Sequence, residues 1–209
     1  MFISVEGIDG CGKTTQIKLL AEYLSQLDVE FIIVREPGGT KAGEEIRDIL
    51  LHKEYHLFSE SELLLFMAAR AQIVREVIRP ELEKGKTVIA DRFMDSSVAY
   101  QGVGRRLGRE IVQAMNAFAV GGTVPDITFY IDVPTDVAIS RMRKEKKNDK
   151  IEMENFDFFE RVREGYEKLM VENRERFVRI DGKQSEEKVQ TDIRKSLRVL
   201  FHKKNQNGR

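Results

Sequence analysis

Hydrophobic and polar positions along the chain fall into two alternating rhythms. Short, near-continuous apolar runs occur at Phe2–Val5, Glu30–Val34, Thr87–Ala90, Ile127–Val133 and Phe177–Ile180. Such runs read as strands buried on both faces, the pattern of a parallel sheet. Between them apolar residues recur at helical spacing. One stripe is Ile17, Leu20, Ala21, Leu24 and Leu27, and a broader one is Leu63, Leu64, Phe66, Met67, Ala71, Val74 and Ile78. A third is Ile111, Ala114, Met115 and Phe118, and the last is Val189, Ile193, Leu197 and Leu200. Each predicts an amphipathic helix with one face on a core. Ser59 or Ser61 is placed to cap the helix that carries Leu63, Gly85 to end it, and Pro80 to kink it near its C-terminal end. The alternation predicts an α/β fold, a doubly wound five-stranded parallel sheet with helices on both faces.

Composition narrows the class. The chain has 209 residues, enough for one large domain, or one domain with a lid, built on a sizeable core. Lys+Arg and Asp+Glu are 35 each, and this balance argues against a dedicated nucleic-acid binder. A single cysteine excludes an intrachain disulfide and a cysteine cluster for zinc. The N-terminus MFISVEGIDG lacks a basic segment followed by a long apolar one, so no secretory signal is expected. No run of apolar residues is long enough to span a membrane. The expectation is a soluble, cytoplasmic protein with no nucleic-acid or membrane partner. One stretch departs in composition: Arg141–Lys150, RMRKEKKNDK, is dense in charge. The tail HKKNQNGR is expected to fray.

The strongest local signal is Gly7-Ile8-Asp9-Gly10-Cys11-Gly12-Lys13-Thr14, which fits G-x-x-x-x-G-K-[ST]. It follows the strand FISV and opens a helix, as a phosphate-binding loop must. Its glycines let backbone N–H groups converge on phosphate oxygens, and the helix N-terminus adds partial positive charge. Lys13 is expected at the β- and γ-phosphates, and the Thr14 hydroxyl on Mg²⁺, with Thr15 completing the nucleotide contact. The same charge around Cys11 predicts a lowered thiol pKa and a reactive side chain, alkylation of which blocks the site. The loop alone leaves a switch GTPase, a motor ATPase and a small-molecule kinase open. No Asn-Lys-x-Asp guanine reader is present.

Thr87–Ala90 leads into Asp91-Arg92. A carboxylate at the C-terminal end of a buried strand lies where α/β sheets bind ligands. There Asp91 can hold Mg²⁺ directly or through water, and Arg92 can fork onto a phosphate. Asp132, after ITFYI, competes for the metal role by the same logic. Asp91 is preferred because its neighbouring arginine suits two phosphates and a metal meeting at one point.

The segments EGIDGCGKTT, REPGGT, LLLFMAAR, DRFMDSSVAYQG and PDITFYIDV, in this order, resemble the thymidylate kinases over at least Met1 to Gly182. The resemblance implies a P-loop NTPase fold of the nucleoside monophosphate kinase type with a short mobile lid, here about residues 141–152 of a single domain, 1–209. It implies transfer of the γ-phosphoryl of ATP to dTMP with Mg²⁺, and a homodimer, for which the helices around Leu63–Ile78 and Ile111–Phe118 are candidate faces. It places Asp9 near the acceptor sugar's 3′-hydroxyl and Glu36 near the metal and phosphates. It makes Arg47 and Arg92 the clamp on the dTMP phosphate. Phe66 would stack on thymine and Arg70 would bond its edge; spaced i and i+4, they share one helix face. Ser97 and Gln101 would complete base readout, and Tyr100 would leave no room for a ribose 2′-hydroxyl. By spacing alone Phe66 is a core residue, and only the resemblance makes it a base platform. Some members carry an arginine in the loop where this chain has Gly10, and others supply lid cations. Arg141, Arg143, Lys144, Lys146, Lys147 and Lys150 fit the second arrangement, with Arg143 or Lys147 at the transferring phosphoryl and Arg141 near adenine. A deoxynucleoside kinase, and a nucleotide-binding regulatory protein with no acceptor, remain open alternatives.

Overall fold

A computed structural model of the chain describes residues 1–145 and 154–207. Its centre is a parallel sheet of β1 (Phe2–Glu6), β2 (Phe31–Arg35), β3 (Thr87–Asp91), β4 (Ile127–Asp132) and β5 (Phe177–Asp181), in the order β2-β3-β1-β4-β5. The five apolar runs are these five strands, with ends within one residue of expectation. β1 lies between β3 and β4, with Ile3 opposite Ile89 on one side and Ile127 on the other. Four strands finish on an acid: Glu6, Asp91, Asp132 and Asp181. Carboxylates therefore gather at the C-terminal edge of the sheet, where the loops that follow carry the site.

Alternation along the strands separates two apolar layers. Ile3, Val5 and Ile89 belong to the core of Ile17, Leu20 and Leu24 on α1 (Lys13–Gln26). This helix packs on β1, on β3 and on α9 (Glu186–Asn207), which also covers β5. Leu20 and Leu24 are fully buried, each contributing on the order of 2 kcal/mol by removal from water. Phe2, Val34, Val88 and Ala90 point to the other layer, against Ile73, Val74, Ile78 and Val120. That side carries α2 (Lys41–Leu51), α3 (Ser59–Ile73), α4 (Arg79–Glu83), α5 (Met94–Ser97), α6 (Arg109–Val120), α7 (Thr135–Glu145) and α8 (Phe156–Glu172). Right-handed crossovers require this division, since only the step from β1 to β2 runs opposite to the others.

Several local expectations are corrected. α3 starts at Ser59 itself after Phe58, with no side-chain cap, so neither Ser59 nor Ser61 caps it. Pro80 sits in the first turn of α4, and the helix accommodates it one turn earlier, through a π-helical stretch at Val74–Ile78. A missing N–H and a crowded carbonyl are relieved by widening the turn before the proline. Gly85 ends α4 in a left-handed conformation, φ 83°, as expected. Leu27 lies past the end of α1 and is exposed. The α6 stripe is turned outward: Phe118 is 82% and Ile111 55% exposed, while Val112, Asn116 and Ala119 face inward. No helix among the described residues is long and apolar enough to cross a membrane.

Candidate active site

The phosphate loop connects β1 to α1. Gly7, Gly10 and Gly12 all have positive φ, so the loop curls in a way side-chain-bearing residues resist. Lys13 is buried and folds back, its Nζ donating to the carbonyls of Gly7 and Ile8 at 3.1 Å each. Thr14, in the first turn of α1, is exposed and lines the cavity onto which the loop opens. Cys11 departs from expectation. Its side chain is 2% exposed and packs beneath the loop, against the α-carbon of Gly7. Burial pushes its thiol pKa up, outweighing the Lys13 cation that favours the thiolate. It is a small core residue rather than a reactive thiol.

Loop and strand ends open onto a cavity of about 660 Å³. Asp9, Gly10, Gly12, Lys13, Thr14 and Thr15 wall one end. Asp91 and Arg92, at the end of β3, line it too, as do Tyr100 and Gln101. Glu36 and Arg47 come from the REPGGT turn and α2, and Phe66, Arg70 and Ser97 complete the lining from α3 and α5. Gly7, Ile8 and Cys11 lie under the loop and do not line it. In REPGGT, the Thr40 hydroxyl accepts the Gly43 N–H at 2.9 Å and caps α2, which fixes the helix that carries Arg47. Arg47 Nη1 donates to the Pro37 carbonyl at 2.7 Å.

Asp9, Arg92 and Tyr100 form a closed triangle. Arg92 donates to the Asp9 carboxylate in a short contact and to Tyr100 Oη at 3.0 Å. Tyr100 in turn donates to Asp9 at 2.7 Å. The Arg92 guanidinium lies 4.8 Å from the Tyr100 ring centroid. Burial alone would raise the Asp9 pKa, but Arg92, Lys13 and Tyr100 hold it down at about 2. Burial and Asp9 push the Tyr100 phenol well above its ordinary range, so it stays a neutral donor.

The second cluster surrounds Arg70, 1% exposed. Its Nε donates to Glu36 at 2.7 Å, and its Nη1 to Ser97 at 2.9 Å and Asn116 at 2.7 Å. Its Nη2 reaches Glu36 and the Phe93 carbonyl. Every N–H of this arginine is thus engaged. Glu36 is raised by burial against the lowering effect of Arg70, and its second oxygen is buried without a donor among the described residues. Phe66 is buried to 9% exposure and presents an aromatic face to the cavity. Gln101 is held by Glu62 at 2.8 Å.

Other expected residues are not brought together. Asp132 is engaged by Arg163 and Arg179 and lies away from the cavity, leaving Asp91 with Thr14 as the pair that faces it. Arg141 donates to the Gly182 carbonyl at 3.2 Å, and Arg143 is exposed; neither lines the cavity. Lys146, Lys147 and Lys150 lie outside the described residues. Met142 does line it, so α7 approaches the loop directly. Sequence reasoning missed Ser96, Tyr166, Glu6 and Asn116, which hold Arg92 and Arg70 from behind. Ser96 stands inside the DRFMDSSVAYQG block and Glu6 opens EGIDGCGKTT, but nothing in the sequence marks Tyr166 or Asn116.

A phosphate loop after the central strand, an Asp-Arg pair at the neighbouring strand end and a pocket that sets Phe66 beside polar side chains define an α/β phosphotransferase of the P-loop nucleoside monophosphate kinase class. The sequence model of thymidylate kinase matches residues 5–193. The chain is 58% identical over 203 residues to a thymidylate kinase of Kosmotoga olearia, covering 97% of this chain and 98% of that one. It is 54% identical over 193 residues to that of Fervidobacterium nodosum, covering 92% and 96%. The crystal structure of thymidylate kinase from Ehrlichia chaffeensis superposes with a TM-score of 0.78 at 38% identity, over 95% of this chain and 98% of that one. This chain belongs to the thymidylate kinase family.

Proposed function

We propose that the chain, as one kinase domain with a lid, transfers the γ-phosphoryl group of ATP to the 5′-phosphate of dTMP, giving dTDP for dTTP synthesis. The observation that carries this reading is one cavity whose lining brings together the phosphate loop, Phe66 and Arg70, and the arginines Arg92 and Arg47. Two polyanions must approach one another for transfer, and cations between them lower that barrier. Lys13 leaves the loop carbonyls to meet the donor phosphates. Arg92 and Arg47 clamp the acceptor phosphate, which an unphosphorylated nucleoside would not need. Phe66 stacks on the base. A base carbonyl reaches Arg70 by taking the place of the Ser97 hydroxyl at Nη1. The unpaired oxygen of Glu36 accepts from a water or a sugar hydroxyl. Tyr100, fixed by its two partners, leaves no space beside the sugar's 2′ carbon.

Thr14 and Asp91 suit Mg²⁺, a hydroxyl and a carboxylate facing one cavity, because this ion takes few protein ligands and completes its shell with phosphate oxygens and water. When bound it neutralises charge on the transferring group. The lid cations, among them Arg143, close over ATP and exclude water. A buried lone thiol suits a reducing, cytoplasmic setting.

The test is a coupled ADP-release assay with dTMP, the corresponding ribonucleotide, dUMP, thymidine or no acceptor. Turnover with dTMP and none with thymidine is expected. Preference for thymidine would establish a deoxynucleoside kinase, and acceptor-independent hydrolysis a regulatory NTPase. We further propose a homodimer formed through the outward faces of the neighbouring helices α3 and α6, where Leu64 and Phe118 are 59% and 82% exposed. Phe118→Asp should then convert a dimer to a monomer in light scattering, and an unchanged mass would refute this interface.

A further inference from the structure

Behind the acceptor-side arginine lies a carboxylate that does not reach the cavity. Glu6 ends β1 and is fully buried. Its Oε1 accepts from the Phe93 N–H at 2.7 Å and from Ser4 Oγ at 2.8 Å. Its Oε2 accepts from Ser96 Oγ at 2.6 Å and Tyr166 Oη at 3.0 Å. All four groups can donate, and as a carboxylate Glu6 offers them acceptors on both oxygens; Ser96 Oγ and Tyr166 Oη also lie 2.8 Å from each other. An amide in the same place would present a donor to one pair of them.

Two links run from this carboxylate to Arg92. The first is through backbone. Arg92 adopts φ 68°, a left-handed conformation that costs a non-glycine residue free energy and persists only where its surroundings impose it. β1 imposes it from both sides: the Arg92 N–H donates to the Val5 carbonyl at 3.1 Å, and the next N–H, of Phe93, donates to Glu6. The second link is through hydroxyls. Ser96 gives its proton to Glu6, so its lone pairs accept from Arg92 Nη1 at 3.2 Å. Tyr166 Oη, 3.5 Å from the same nitrogen, is the weaker branch.

We propose that Glu6 is a positioning residue for Arg92, fixing its left-handed backbone through Phe93 N–H and aiming its guanidinium at the acceptor phosphate through Ser96. This rests on the reading of Arg92 as the acceptor-phosphate clamp. Glu6 touches no substrate. It sets the direction of the group that does, and a misaimed guanidinium loses its two-pronged hold on phosphate.

Steady-state kinetics on Glu6→Gln, Arg92→Lys and the double variant test this. Arg92→Lys and Glu6→Gln should each raise KM for dTMP by roughly tenfold or more while KM for ATP stays within about twofold. In the double variant Glu6→Gln should add nothing, because residues acting through one group are not additive. An unchanged dTMP KM in Arg92→Lys would overturn the clamp reading itself. A raised KM in Arg92→Lys with an unchanged KM in folded Glu6→Gln, or effects that multiply in the double variant, would overturn the positioning role alone. Should Glu6→Gln fail to fold, Ser96→Ala keeps the carboxylate and breaks the relay. It should raise dTMP KM selectively, and equal effects on both substrates would refute the proposal.

Discussion

Lys13 and Cys11 stand two residues apart in the phosphate loop and are treated oppositely by the fold. Lys13 rests on two loop carbonyls, contacts it can exchange for phosphate oxygens without moving the backbone. Lys13→Ala should therefore lower kcat by roughly 10²–10³-fold with an unchanged circular dichroism spectrum; near-normal turnover would remove the loop from the chemistry. Cys11 is tucked under Gly7, its sulfur accepting from Lys13 Nζ at 3.7 Å, and burial disfavours its thiolate. Native protein should resist alkylation at Cys11 on a timescale on which denaturant-unfolded protein is labelled completely, as read by intact mass. Rapid stoichiometric labelling of the folded enzyme would show that the thiol is open after all. The loop motif in the sequence told which atoms attract phosphate. It did not tell which side chain of the loop faces inward, because that depends on the strand beneath it.

At the scale of elements, α7 is mechanically joined to the loop. A β-carbon placed on Gly10 would lie 2.4 Å from the Ala138 carbonyl and 3.0 Å from Met142 Cγ, and its φ is +75°. α7 therefore packs against loop backbone, which no larger residue allows without moving the helix. Gly10→Ala should cost on the order of 1–3 kcal/mol, lower Tm by several degrees, and raise KM for ATP more than KM for dTMP. A Tm and ATP affinity equal to wild type would show that α7 yields freely. Strand positions were readable in the sequence because burial on both faces leaves an unbroken apolar run. Helix faces were less so: α6 carries its large apolar residues outward and its small ones and Asn116 inward. A stripe reports that a face is covered by something, and not whether the cover is this chain's own core.

For the whole molecule, the buried acid Glu6 makes stability depend on pH. Burial and the Asp95 carboxylate push its pKa up to about 7 from an ordinary 4.5, against the donors of Ser96 and Ser4 and the Arg92 charge. Asp95 is itself paired with Arg176, Tyr166 bonds Glu6 from α8, and Tyr130 stands opposite on β4. Between those two values the folded chain holds a proton that the unfolded chain has lost. Stability from this group is thus present below the unfolded value and declines by about 3 kcal/mol as pH rises toward the folded one. Glu6→Gln cannot titrate. The difference in unfolding free energy between wild type and this variant, from denaturant titrations at about pH 5 and about pH 8, should change by most of that amount in the variant's favour. A difference independent of pH would show that Glu6 is ionised throughout. Asp9, held at about 2, titrates below this window and does not interfere.

The sequence by itself determined the alternation of strand and helix, the phosphate loop, the Asp91-Arg92 pair and the family resemblance, because each is written in residues close together along the chain. Composition and short-range spacing suffice where a backbone conformation or a buried strand dictates residue type. Only the tertiary structure decided which charges pair. Asp132 is claimed by Arg163 and Arg179, Arg70 is saturated by Glu36, Ser97 and Asn116, and Glu6 is enclosed by donors from β1, α5 and α8 and from the turn after β3. Ser4 beside Glu6 excepted, these partners lie far in sequence from the groups they bind, and the free energy of an ionised group depends on what surrounds it in three dimensions. The motif therefore names the charged residues of the site, and the packing of the sheet against its helices decides which are left to meet a substrate.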